Sequence, residues 1–389
     1  MAGDPRGGAG GGLVEKRRIT LPSYTFEIGR TIRDVEVGYE TYGARSPRGD
    51  NAILICHHYT GTSHAAGRYA ARDELPGWWD GMIGPGKAFD TDRYFVIAMD
   101  ALGNVNVNDP RVVTTGPATV DPATGERYGA SFPQFTIRDM VRVQKAVLDA
   151  LGIEHLVAVA GPSMGGAQAL EWAVTYPAMM DRAIAVISGP KSYPRLNMLM
   201  LAPVEAAIRL DPAWRGGAYE PAQQPLAGLT LAFSLITVQA LGEPWANDIG
   251  RGPADPGRDP YRDPAARFAF QTEVEALARA RAALTDANQL LRLNRANMLH
   301  DVAHGYASEA EAYRRIAADV LIINASSDLW FPPYQARAFA DAVNAAGGRA
   351  RASVFETDGG HIAGLTETDK FAADIAAFLG GTPGPPPGG

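Results

Sequence analysis

Apolar and polar positions alternate in blocks along the first half of the chain. Asn51-Ala-Ile-Leu-Ile-Cys56, Tyr94-Phe-Val-Ile-Ala98 and His155-Leu-Val-Ala-Val-Ala160 are short, nearly continuous apolar runs. That is the pattern of strands buried on both faces of a sheet. Between them, the segment 136–148 places Ile137, Met140, Val141, Gln144, Val147 and Leu148 on one side of a predicted amphipathic helix. From about Ser192 to Arg315 helical spacing dominates, broken at 248–260 by a loop rich in Gly, Pro and Asp. Strand patterns return at Asp319-Val-Leu-Ile-Ile-Asn324 and Ala352-Ser-Val-Phe-Glu356. The blocks predict an α/β fold with a mostly parallel central sheet flanked by helices. Its first part spans 19–190, a helical cap is inserted at 191–316, and the core resumes at 317–380. The Gly- and Pro-rich ends, 1–18 and 381–389, are expected to be disordered tails.

Composition narrows the class. At 389 residues and 46% hydrophobic, the chain can bury one large core. A net charge of −7 leaves no electrostatic footprint for nucleic acid. Its single cysteine, Cys56, excludes an internal disulfide. No apolar stretch is long enough to span a membrane, and the N-terminal segment lacks an apolar signal core, so a soluble cytoplasmic protein is expected.

Candidate chemistry lies at three strand ends. Gly161-Pro-Ser163-Met-Gly165 follows an apolar strand and precedes the helix former run 166–175. Strand, sharp Gly-lined turn and helix is the context in which a Gly-x-Ser-x-Gly serine becomes a nucleophile. Asp328 follows the strand 319–324, and His361 follows the strand 352–356 in the loop Thr357-Asp-Gly-Gly-His361. Open α/β sheets bind ligands at the carboxyl ends of strands, so the three can converge. The order Ser, Asp, His is that of α/β-hydrolases. His361 would take the Ser163 proton, and Asp328 would orient the imidazole; Asp358 is a rival for the acid. Two backbone N–H groups should form the oxyanion hole: Met164, directly after the nucleophile, and Tyr59, in the loop after the strand 51–56. Adjacent His57 and His58 at a strand end point to opposite faces, which disfavours joint metal ligation, so no metal is expected. His58 is assigned instead to the substrate pocket.

Several longer segments carry a resemblance: 77–97 (Gly77-Trp-Trp-Asp-Gly-Met-Ile-Gly-Pro-Gly-Lys-Ala-Phe-Asp-Thr-Asp-Arg-Tyr-Phe-Val-Ile97), Thr60-Gly-Thr-Ser-His-Ala-Ala-Gly67, Thr136-Ile-Arg-Asp-Met140 and Ser163-Met-Gly-Gly-Ala-Gln-Ala-Leu-Glu-Trp172. In these the chain resembles the homoserine O-acetyltransferase family. The resemblance implies an α/β-hydrolase fold, a cap over a deep tunnel, a homodimer through the cap and an acyl-serine intermediate, with no cofactor. It also implies two departures. The family places an arginine for the homoserine carboxylate where Phe233 stands, and an aspartate where Ile362 follows His361. Burying an unpaired carboxylate or ammonium against Phe233 and Ile362 would cost several kcal/mol. These substitutions favour a serine carboxylesterase acting on small neutral, short-chain esters. The alternative is an O-acyltransferase carrying an acetyl group from acetyl-CoA to an alcohol.

Overall fold

The computed structural model describes residues 13–382, so the expected tails 1–12 and 383–389 lie outside the described residues. An eight-stranded sheet is built from β1 (Arg17–Thr25), β2 (Thr31–Tyr42), β3 (Ala52–Cys56), β4 (Phe95–Met99), β5 (Ala158–Pro162), β6 (Arg182–Val186), β7 (Asp319–Ala325) and β8 (Arg349–Phe355). Their spatial order is β1-β2-β4-β3-β5-β6-β7-β8. β2 pairs antiparallel with β1 and β4, and the remaining pairs are parallel. Every residue of β3, β4, β5 and β6 is buried, which is why these strands read as unbroken apolar runs.

Two helices flank the Ser163 turn: α1 (Ile137–Ala150) and α2 (Met164–Thr175). α1 begins with a capping box, in which Thr136 accepts from the Asp139 N–H and Asp139 accepts from the Thr136 N–H. Between β6 and β7 the chain inserts α3 (Ala202–Leu210), α4 (Leu226–Ala240), α5 (Glu243–Ile249), α6 (Ala269–Ala283), α7 (Ala287–Met298) and α8 (Glu309–Arg314). α9 (Pro333–Ala345) links β7 to β8, and α10 (Ala372–Gly380) follows β8. Among the described residues no single helix is long and apolar enough to cross a membrane.

Two expectations need correction. Residues 13–18 are not a disordered tail. The Val14 N–H donates to the Arg68 carbonyl at 2.8 Å, and β1 already begins at Arg17. Lys16 inserts between buried Glu40 and Asp100, 3.1 Å from each, so this segment is held by two carboxylates that need its charge. β8 starts at Arg349 rather than Ala352. As an edge strand it carries Arg349 and Arg351, which hid its first turn from an apolar pattern.

Candidate active site

The β5–α2 turn holds Ser163 at φ 54°, ψ −120°. This is a strained conformation for a residue with a side chain, and it lifts the hydroxyl out of the chain. The turn is fixed from both sides. The Ser163 N–H donates to the Val186 carbonyl at 2.8 Å, and Ser188 Oγ donates to the Ser163 carbonyl at 2.7 Å. A Cβ on Gly161 or Gly165 would collide with the Cys56 carbonyl oxygen, so the β3 end and the turn can approach only through glycine.

Asp328, His361 and Ser163 form one continuous hydrogen-bonded line. His361 Nε2 lies 2.9 Å from Ser163 Oγ, and His361 Nδ1 lies 2.7 Å from Asp328 Oδ2. The other carboxylate oxygen, Oδ1, accepts from the Trp330 N–H at 2.8 Å and the Phe331 N–H at 3.1 Å. With Oδ1 filled, Oδ2 is left to accept the hydrogen bond from Nδ1–H, and Nε2 presents its lone pair to Ser163. The rival Asp358 is exposed, whereas Asp328 is 3% exposed. The Trp330 ring packs on the imidazole at a centroid distance of 4.4 Å, fixing its plane.

The two backbone N–H groups expected to form the oxyanion hole belong to the residue after Ser163 and to the loop after β3. Met164 is the first residue of α2, where no intrahelical acceptor exists. Tyr59 sits in the loop after β3, with its hydroxyl donating to Asn294 Oδ1 at 3.0 Å on α7. Among the described residues neither N–H has a hydrogen-bond partner. Unspent donors beside a nucleophile are what a developing oxyanion requires.

The structure gives roles to residues for which the sequence pattern named no partner. His57 Nε2 accepts from the Ala101 N–H at 3.0 Å and from Asn104 Nδ2 at 3.1 Å. Its proton therefore lies on Nδ1, which donates to the His58 carbonyl at 2.7 Å and braces the Tyr59 loop. Gln168 Nε2 donates to the Met164 carbonyl at 3.1 Å and the His57 carbonyl at 3.4 Å, tying together the two segments that carry the unpartnered N–H groups. Gln168 Oε1 accepts from Gln144 Nε2 at 2.7 Å, and Gln144 Oε1 accepts from Trp172 Nε1 at 2.8 Å. A Gln on the apolar side of a predicted helix was the available signal.

The expected pocket residues separate. His58 packs edge-on against Trp78, with centroids 5.2 Å apart. Burial pulls its pKa well below the usual histidine value, and the charges of His57, Arg281 and His361 act in the same direction. Ile362 lines a cavity of about 340 Å³ together with Leu241, Trp245 and Asp358. Its N–H donates to the Ala240 carbonyl at the end of α4 at 2.9 Å. Phe233 on α4 is closed off within the main apolar cluster at 1% exposure. Cys56 is buried, and burial pushes its thiol pKa far up, which removes it as a nucleophile.

Comparison with known proteins identifies the family. The model of the α/β hydrolase fold family matches residues 51–368. The homoserine O-acetyltransferase of Moorella thermoacetica is 40% identical over 354 residues, covering 91% of this chain and 92% of that protein. The homoserine O-acetyltransferase of Symbiobacterium thermophilum is 41% identical over 373 residues, covering 94% and 95%. Among solved structures, homoserine O-acetyltransferase from Bacillus anthracis superposes with a TM-score of 0.92 at 40% identity, covering 96% of this chain and 100% of that one. Esterase E22 superposes with a TM-score of 0.90 at 39% identity, covering 94% and 100%. The chain therefore belongs to the α/β hydrolase fold family and, within it, to the homoserine O-acetyltransferase family.

Proposed function

We propose that this protein is an O-acyltransferase that moves a short acyl group, acetyl first, from a thioester such as acetyl-CoA to an alcohol through an acyl-serine intermediate. The observation that carries the chemistry is the Asp328–His361–Ser163 hydrogen-bonded line beside two unpartnered N–H groups. Ser163 attacks the acyl carbonyl as His361 Nε2 takes its proton. Met164 and Tyr59 N–H groups stabilise the oxyanion, and His361 then protonates the leaving thiolate. In the second half His361 deprotonates the acceptor hydroxyl, which attacks the acyl-serine; the acyl–Oγ bond breaks and His361 returns the proton to Ser163 Oγ. Transfer is preferred over the plain carboxylesterase expected from the sequence because relatives at 40–41% identity are named homoserine O-acetyltransferase. Hydrolysis, with water as acceptor, remains the second reading. Apolar Ile362 beside His361 and the similarity to an esterase of 39% identity support it.

The inserted helices, 191–316, serve in this proposal as a cap, and the cap as the face of a homodimer. Supporting this, Leu226, Leu231, Val238 and Phe270 stand exposed around a cleft of about 720 Å³ between α4 and α6. Light scattering that gives a monomer at micromolar concentration would remove the dimer.

The deciding experiment follows acetyl-CoA consumption with and without homoserine, beside p-nitrophenyl acetate hydrolysis. Acceptor-dependent release of CoA supports transfer. Ester turnover that no alcohol accelerates supports hydrolysis. Unchanged turnover in Ser163→Ala would sink both.

A further inference from the structure

We propose that His57 is a positioning residue of the oxyanion hole: its imidazole aims the Tyr59 N–H at the reacting carbonyl and strengthens it as a donor. This rests on the reading of that N–H as an oxyanion donor, and names the side chain that makes it one.

The His58 carbonyl and the Tyr59 N–H belong to one peptide unit. Such a unit is planar, and in the trans form its C=O and N–H point in opposite directions. No cis peptide bond occurs among the described residues. Whatever grips the His58 carbonyl therefore sets where the Tyr59 N–H points. Two donors grip it: His57 Nδ1–H at 2.7 Å and the Gly61 N–H at 2.9 Å. Both lone pairs of that oxygen are taken, while the Tyr59 N–H has no partner among the described residues. The bonds to the oxygen also polarise the amide, because linked hydrogen bonds reinforce one another in a buried, low-dielectric setting. His57 itself is 1% exposed.

The Gly61 bond closes a local turn, which by itself would move as one body. His57 ties that turn to the segment following β4, and its surroundings impose the tautomer this needs. The Ala101 N–H, a donor and nothing else, lies 3.0 Å from Nε2. Asn104 presents a second donor to Nε2 at 3.1 Å. The orientation of that amide is fixed, since Asn104 Oδ1 accepts from the Asn106 N–H at 3.0 Å and Asn104 Nδ2 also donates to the Gly61 carbonyl at 2.9 Å. Facing two donors, Nε2 keeps its lone pair, so the ring proton sits on Nδ1 and is spent on the His58 oxygen. The imidazole touches no reacting atom and acts only through this peptide.

The test uses the full-length chain and two substitutions that each keep half of the ring. In His57→Gln the amide reaches the Nε2 position and can answer Ala101 and Asn104, but nothing replaces the Nδ1–H. In His57→Asn the amide sits at the Nδ1 position and keeps the donation to His58, but leaves Ala101 and Asn104 unanswered. Outright loss of an oxyanion donor lowers kcat by about 10²–10³, so a misaimed one in His57→Gln should slow acylation by p-nitrophenyl acetate about tenfold or more, with KM within about twofold. His57→Gln should melt close to the wild type. His57→Asn should melt lower, yet recover most of the lost rate. Stability and rate then rank the two variants in opposite order, which a merely structural role would not produce. A trifluoromethyl ketone, whose adduct with Ser163 carries the oxyanion, should bind His57→Gln more weakly by the same factor. Wild-type acylation in His57→Gln, or a rate that follows melting temperature across the two variants, overturns the proposal. Should His57→Asn fail to fold, an unchanged ketone affinity in His57→Gln overturns it alone. The Tyr59 reading fails separately, if exchanging the Tyr59 N–H for an ester oxygen, by incorporating the corresponding hydroxy acid, leaves acylation unchanged.

Discussion

Gln168 should be worth more to catalysis than to stability, although it touches no reacting atom. Replacing it with Met keeps the volume and removes the bonds to the Met164 and His57 carbonyls. It also leaves Gln144 Nε2 without its buried acceptor. A buried donor left unsatisfied costs about 1–3 kcal/mol and each lost hydrogen bond about 1, so Gln168→Met should lose about 2–4 kcal/mol of stability. Deleting an oxyanion donor outright lowers kcat by about 10²–10³. Here the donors stay but lose the clamp between their segments, so a fall of about 10- to 100-fold is expected, with little change in KM. Trp172→Phe is the comparison. It breaks the same relay at its outer end, removing the 2.8 Å bond to Gln144 Oε1. Its stability loss should be about 1–3 kcal/mol, with kcat held within about threefold. Urea unfolding and the pre-steady-state acylation rate with p-nitrophenyl acetate separate the two quantities. If Gln168→Met is destabilised yet acylates at the wild-type rate, or if Trp172→Phe slows acylation as much, the clamp argument is wrong.

Gly165→Ala would drive a methyl group into the Cys56 carbonyl oxygen, main chain that cannot step aside. It should cost about 3 kcal/mol and nearly abolish acylation, whereas Gly252→Ala, which meets no atom within 4 Å, should leave the melting temperature and acylation as they are. Stability should also fall with acidity. Burial holds His57 and His58 below the usual value of 6.5 and pushes His300 down to about 4. The unfolded chain therefore takes up these protons near pH 6.5 while the folded one does not, so their contribution is complete above 6.5 and is lost as pH falls. The slope approaches about 1.4 kcal/mol per pH unit for each such histidine once pH is below 6.5. Nearer the carboxyl range, Glu171 and Asp286, both raised by burial, protonate first on the folded side and flatten it. An unfolding free energy that does not change between pH 6.5 and 5.5 would contradict this.

The sheet and the Ser163, Asp328 and His361 line were legible because each rests on a local signal. Buried parallel strands are apolar at every position, and each of the three residues follows its strand within a short loop. β1 was not legible for the opposite reason, since half-exposed alternation with arginines resembles a polar lead-in. The supporting residues leave weaker traces. Gln144 interrupts an apolar helix face, and Gln168 lies in a helix buried from Met164 to Val174. Either is a mark of an internal polar contact, but neither names its partner. Trp330 leaves no trace, and His57 shows only as one of two adjacent histidines, because their roles depend on which distant segments pack against them. Phe233 shows the limit in the other direction: the position was identified, but a helix pattern could not say that its ring is closed within the apolar cluster.

The bond from the Ile362 N–H to the Ala240 carbonyl has a bearing on how such proteins could be recombined. A Cβ on Gly242 would strike the Asp358 carbonyl, and one on Gly360 would press on Ala240. The inserted helices and the turn that carries His361 are therefore shaped to each other at main-chain distance. A chimera that borrows the insertion from a relative inherits a foreign seat for His361 unless residues 358–362 travel with it. The insertion and the placement of His361 are then exchanged as one module.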